Sequence, residues 1–224
     1  YQRGYFQQLF SIKEDQLIDD IYPRCAFLKQ DLIEIVEHIK RYEPQEVPEL
    51  LNSWKQYDRI YLYMPTWRAH LNTAYLNVAF PNMKKVNALL VIKQHPTVKV
   101  TNLNNQYSHI YFIDNKCDIY PILPFTDILI TDYSSIYADY ILMEDKGVIL
   151  YMFDLEEYQK NDLSLMDYEK NTPGTYAYTF TELLEIIINK KDCGFPGRDV
   201  TLYKWWGNYK ERSMRTLWNK LLTI

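Results

Sequence analysis

The chain has 224 residues, 47% hydrophobic and 24% charged, a balance that suits one well-buried globular domain with additions and excludes disorder over most of its length. Its formal net charge of −4 removes the attraction that dominates nucleic-acid affinity, so nucleic acid is not an expected partner. Cys25, Cys117 and Cys193 are odd in number, far apart and without ligand spacing, which argues against a disulfide framework or structural zinc and reads as reduced thiols of a cytosolic protein.

The chain opens on Tyr1 rather than Met, which is compatible with an internal cut and a further N-terminal portion; no signal-peptide order is present and no apolar run approaches the ~20 residues that span a bilayer. After a stretch mixing aromatics with charges, Asp31 to Lys40 places apolar residues at helical spacing. Pro44 and Pro48 break that pattern, and Glu49 to Gln56 reads as a short second helix. Five apolar runs follow: Ile60 to Met64, Ala88 to Ile92, Ile110 to Ile113, Ile128 to Thr131, and Val148 to Phe153. Near-continuous apolar runs mark strands buried on both faces of a parallel sheet. Crossover helices fit between and after them, most clearly at Ser134 to Glu144 and Thr181 to Asn189. The alternation predicts an α/β fold with a doubly wound, Rossmann-like parallel sheet. Trp205 to Leu222 reads as one basic, aromatic helix. The expected organisation is an N-terminal helical segment and connection over 1–56, a nucleotide-binding domain over 57–190, and a C-terminal helical segment over 191–224. The 21 tyrosines against 6 glycines suit a dense α/β core or a surface that meets sugars and lipids, and an AT-rich coding sequence accounts for them equally well.

Ligands of open parallel sheets bind at the carboxyl ends of the strands, so the residues just beyond each run are the first candidates. These are Pro65-Thr66-Trp67-Arg68, Lys93-Gln94-His95-Pro96, and Thr131-Asp132-Tyr133-Ser134-Ser135. Ser134 and Ser135 stand where a strand turns into a helix, so their hydroxyls and the free N–H groups of the first turn suit a phosphate. A lone Ser pair is better read as an ordinary N-cap. Its strand-end placement beside Lys93 and His95 favours the phosphate reading. Lys93 and His95 alternate at a strand end, one a fixed cation and the other titrating near neutrality. Arg68 adds a bidentate fork, though by itself it reads as a surface ion pair. His38, His70 and His109 read as structural. Thr66, Asp132 and Asp139 are further candidates; capping or orienting a helix accounts for either carboxylate, and the pair does not specify a glycosidase. The motifs for dinucleotides, nucleoside triphosphates and the nucleophile elbow are absent from the sequence. No metal-ligand spacing is seen.

From about Tyr22 to Gly174 the chain resembles the CDP-glycerol:poly(glycerophosphate) glycerophosphotransferases of teichoic acid and capsule synthesis. The likeness runs through Tyr22-Pro23-Arg24, Leu62-Tyr63-Met64-Pro65-Thr66-Trp67-Arg68, Ile92-Lys93-Gln94-His95-Pro96 and Thr126-Asp127-Ile128-Leu129-Ile130-Thr131-Asp132-Tyr133-Ser134-Ser135. Asp154-Leu155-Glu156-Glu157-Tyr158 and Thr172-Pro173-Gly174 complete it. Cys25-Ala26 stand where that family usually has Asn-Asp, and the Trp-rich C-terminal stretch is atypical. The resemblance implies the C-terminal, donor-binding half of a GT-B architecture and CDP-glycerol as donor substrate, with no certain cofactor. It also implies a polymer or lipid-linked acceptor and a peripheral position on the inner face of the bacterial membrane. By the same resemblance His95, Ser134 and Ser135 contact the pyrophosphate, with Lys93, Arg68 and Thr131 in support, while the base for the attacking hydroxyl belongs to an N-terminal domain. A GT-B glycosyltransferase, a sugar-nucleotide epimerase and a non-catalytic nucleotide-binding module stay open as alternatives.

Overall fold

The computed structural model describes residues 2–66, 82–95, 107–161, 168–191, 193 and 197–223. Six strands form one sheet: β1 (Arg59–Tyr63), β2 (Ala88–Ile92), β3 (Ile110–Phe112), β4 (Ile128–Thr131), β5 (Gly147–Tyr151) and β6 (Thr175–Ala177). Their order is β3-β2-β1-β4-β5-β6 and every pairing is parallel. β2, β4 and β5 are buried at every position, which is why they read as unbroken apolar runs. The five expected strands are all present, with small shifts at their ends. The sixth was not expected. It is a three-residue edge strand held by register with β5 (Ile149 with Thr175, Tyr151 with Ala177), too short to carry a pattern of its own.

Successive residues point to opposite faces, and each face meets its own layer. Leu62, Val91, Leu129, Val148 and Leu150 pack under Ile35 and Ile39 of α2 (Leu32–Tyr42) and Val47 and Trp54 of α3 (Glu46–Trp54). Leu202 and Trp206 join this core from the far end of the chain. On the other face Leu90, Ile92, Ile128, Ile130 and Ile149 pack with Met83 and with Leu183, Ile186 and Ile187. Further helices are α1 (Gln2–Phe10), α4 (Ile136–Tyr140), α5 (Leu155–Asn161), α6 (Tyr168–Asn171), α7 (Phe180–Ile188), α8 (Arg198–Trp206) and α9 (Met214–Leu221). None of the described helices is long and apolar enough to cross a membrane.

Three helix boundaries differ from expectation, each for a local reason. α3 includes Pro48, because a proline in the first turn loses only an N–H that has no helical partner. The helix expected over Ser134 to Glu144 is confined to α4. Beyond it the carbonyls are taken by Arg198, which donates to Ile141 O at 2.9 and 3.1 Å, to Glu144 O at 2.6 Å, to Lys146 O at 3.3 Å and to Met143 O. The single helix expected over Trp205 to Leu222 is split. Gly207 ends α8 with φ +57°, a 3-10 turn spans Tyr209–Glu211, and α9 restarts from Ser213, whose hydroxyl accepts from Thr216 N at 3.2 Å. α9 then ties back to the N-terminal segment, with Thr216 donating to Asp20 at 2.9 Å and Lys220 pairing with the same carboxylate at 2.8 Å.

Arg198→Ala removes the donors that hold the turn after α4 and strands its carbonyls. We expect a loss of about 2–4 kcal/mol in unfolding free energy, read from the denaturant midpoint. A midpoint unchanged within error would show that water replaces the guanidinium without cost.

Candidate functional site

The chain runs outward from β1 through β2 to β3 and then returns to lay β4 beside β1, so the direction of winding reverses between these two strands. A crevice opens outside their carboxyl ends at such a reversal. Its two walls are bonded together. Met64 N donates to Ile130 O at 2.9 Å, and the Thr131 hydroxyl donates to Met64 O at 2.7 Å. Asp132, only 1% exposed, accepts on one oxygen from both Thr66 N at 2.8 Å and the Thr66 hydroxyl at 2.5 Å. Thr66, Thr131 and Asp132 therefore meet as a frame. Sequence reasoning placed each of them at a strand end without showing that they bond to one another.

The motifs spread along the chain converge here. Tyr168 donates to Asp132 O at 2.6 Å, and Tyr133 stacks on Tyr158 at 4.0 Å while its hydroxyl donates to Asp154 at 3.1 Å. Tyr137 donates to Pro173 O at 2.7 Å, and a side chain at Gly174 would stand 3.3 Å from Leu150 Cδ1. Ser134 and Ser135 follow at the start of α4, half-buried and exposed respectively. Ser135 occupies the N-cap position without a side-chain cap bond, and the Ser134 hydroxyl has only a long contact of 3.5 Å from Ile136 N. The Ser135 hydroxyl does not fill the ordinary capping role, and that of Ser134 fills it only through this long contact.

At the end of β2, Lys93 is 7% exposed and donates to Asp114 O at 2.7 Å and Cys117 O at 3.1 Å. Burial pushes its pKa down, against the opposing pull of Cys117 and nearby carboxylates. Two of the three ammonium N–H groups thus brace the loop after β3. The fixed cation expected at this strand end is thus braced and keeps a single N–H. His95 itself is exposed. Between them Gln94 is also 7% exposed, and its Oε1 is buried without a hydrogen-bond partner, an acceptor at the strand end that sequence reasoning passed over because a lone Gln carries no signal.

Asp139 is buried one turn into α4 and accepts from Tyr120 at 2.6 Å and from Arg24 Nε at 3.0 Å. It orients the segment carrying Tyr22-Pro23-Arg24 against the helix. Burial, and then Asp139, drive the Tyr120 hydroxyl to a higher pKa. Arg68 and His70 lie outside the described residues. His38 packs between Phe27 and Tyr42, each ring 4.7 Å away, and His109 bonds Ala88 O at 2.9 Å, both structural arrangements. Among the described residues no group of three His, Cys, Asp or Glu side chains could hold a metal ion.

The family model described as CDP-Glycerol:Poly(glycerophosphate) glycerophosphotransferase matches residues 1–199. The chain is 28% identical over 197 residues to the teichoic acid ribitol-phosphate polymerase TarK of Staphylococcus aureus, covering 83% of this chain and 37% of that protein. It is 27% identical over 188 residues to the teichoic acid glycerol-phosphate primase of Bacillus subtilis, covering 81% and 45%. The chain thus spans under half the length of these two curated relatives. Among solved structures, the wall teichoic acid polymerase TagF aligns over 98% of this chain and 55% of its own with a TM-score of 0.72 at 17% identity. A TagF form soaked with CDPG aligns with a TM-score of 0.70 at 19% identity, covering 98% and 53%.

The frame and the serines separate in a stability measurement. Asp132→Ala leaves the Thr66 N–H without its carboxylate and is expected to cost about 3 kcal/mol. Ser135→Ala, with no cap bond to lose, should stay within about 0.5 kcal/mol of the parent. Thermal unfolding of both variants checks this, and a large loss at Ser135 would restore the capping role.

Proposed function

Because the chain belongs to the CDP-glycerol:poly(glycerophosphate) glycerophosphotransferase family, we propose that it forms the donor-binding part of an enzyme that moves glycerol phosphate, or a related alditol phosphate, from a CDP-activated donor to a wall polymer, releasing CMP. The observation that carries the reading is the convergence of the strand-end motifs on the carboxyl ends of β1 and β4, with the Ser135 hydroxyl free of a cap bond and that of Ser134 in one long contact beside them. Relatives named for glycerol-phosphate and for ribitol-phosphate transfer support an alditol phosphate as the group moved.

In this reading Ser134, Ser135 and the first-turn N–H groups of α4 donate to the pyrophosphate, with the remaining N–H of Lys93, and Arg68, in support. Thr66, Thr131 and Asp132 hold the frame on which those groups stand. A polymer-terminal hydroxyl attacks the phosphorus next to the alditol, its proton passes to a base outside the groups described here, and the bond from phosphorus to the CMP oxygen breaks. His95 donates to the phosphate oxygens or protonates the departing CMP. Positioning and charge neutralisation lower the barrier, since no covalent intermediate is needed.

A polymer or lipid-linked acceptor places the enzyme at the inner face of the membrane as a peripheral protein. Met214, Trp218 and Leu221 of α9, with Leu222 at its C-cap, support this, because they are exposed at helical spacing beside Arg215 and Lys220. Trp218→Glu should lower the fraction that co-sediments with anionic phospholipid vesicles several-fold. Equal sedimentation of variant and parent would remove α9 from membrane attachment.

For the reaction, His95→Ala is expected to reduce turnover at least about a hundredfold, measured as CMP release from CDP-glycerol by the enzyme that contains this chain. Turnover within a few-fold of the parent, in a folded variant, would take His95 out of the mechanism.

A further inference from the structure

We infer that Arg24 is a further phosphate-contacting residue of the crevice, presenting the outer edge of its guanidinium to the donor beside Ser135. The inference rests on the donor-binding reading above and adds a residue to it.

Arg24 enters a 3-10 helix, Pro23–Lys29, whose first turn is fixed by Pro23. Its side chain meets Asp139 through Nε alone, at 3.0 Å from Oδ2. The same carboxylate oxygen accepts from the Tyr120 hydroxyl at 2.6 Å. The rings of Tyr22 and Tyr120 lie 4.8 and 5.6 Å from the guanidinium carbon, so the plane is held from two sides as well as by the carboxylate. Neither Nη bonds an oxygen or nitrogen among the described residues, the Cys25 thiol being a further polar neighbour of the guanidinium, and the side chain is 48% exposed. Asp139 by contrast is buried. The geometry therefore anchors one edge of the guanidinium and leaves the fork edge open.

The placement of that fork follows from the helix. Ser135 has helical dihedrals (φ −62°, ψ −15°) and stands four residues before Asp139, so the two share a face one turn apart. Helical side chains lean toward the N-terminus, which carries the Asp139 carboxylate, and the guanidinium docked on it, toward the Ser135 turn. A guanidinium fork suits two non-bridging phosphate oxygens at once, and it stays charged at any working pH. A purely structural pair would gain most from a bidentate, enclosed contact. A half-exposed single contact screened by water stabilises the fold little. What the contact does achieve is orientation.

The test separates affinity from stability. Titration calorimetry of CDP-glycerol into the chain is compared for the parent, for Arg24→Lys, and for Arg24→Gln combined with Asp139→Asn, a pair that removes both charges while keeping shape. The double variant should melt close to the parent yet bind CDP-glycerol about tenfold or more weaker. Arg24→Lys keeps the cation and its carboxylate but loses the fork, and it should bind at least about threefold weaker. If the double variant is folded and binds within about twofold of the parent, Arg24 only pairs with Asp139 and the inference is overturned while the donor reading stands. Should the double variant fail to fold, Arg24→Lys decides by the same comparison. A folded parent that binds no CDP-glycerol at millimolar concentration overturns the donor reading and this inference with it.

Discussion

Asp132 follows β4 directly, its carboxylate almost wholly out of water, and both the N–H and the hydroxyl of Thr66 point at one of its oxygens. An unpaired carboxylate there would be costly, so the loop after β1 is held wherever β4 ends. This matters because β1 and β4 are neighbours in the sheet but far apart in sequence, and nothing covalent nearby fixes the gap between their ends. The Thr131 hydroxyl on Met64 O closes the same gap from the other strand. Apart from Arg24, every group proposed to meet the donor hangs from one of these two ends or from the neighbouring end of β2.

Around that frame, tyrosine hydroxyls fasten the loops. Tyr168 reaches Asp132 O, Tyr133 reaches Asp154, Tyr137 reaches Pro173 O, and Tyr120 reaches Asp139. Each ring contributes apolar area to packing while its hydroxyl satisfies a polar group that the loop would otherwise leave unpaired. In a chain with 21 tyrosines and 6 glycines, loop geometry is held by tethers of this kind more than by backbone freedom. Tyr133 stacked on Tyr158 joins the segment after β4 to the segment after β5, bringing two motifs that are separate in sequence together beside the strand ends.

The cations near the crevice differ in kind according to what anchors them. Lys93 is buried and braced by two carbonyls, so it stiffens the loop after β3 and retains a single N–H. Arg24 is held by its Nε and by two rings, which leaves its outer edge available. Arg198 is turned wholly inward onto the carbonyls that follow α4, and there it sets where that short helix stops. Sequence assigns all three the same charge. Their neighbours assign the work.

The sequence by itself determined five of the six strands, because burial on both faces demands short unbroken apolar runs such as Ala88 to Ile92 and Ile128 to Thr131. It also determined where to look, since ligands of parallel sheets sit beyond strand ends and Thr66, His95, Ser134 and Ser135 stand there. It did not reveal β6, whose three residues are strand only because β5 offers an edge. Nor did it show where the helix after Ser135 ends, which a side chain about sixty residues later decides. Asp132 and Asp139 looked alike in sequence, two acids near a serine pair. Only the fold made one a clasp between strands and the other the anchor of Arg24, because hydrogen-bond partners brought from distant parts of the chain leave no trace in local pattern.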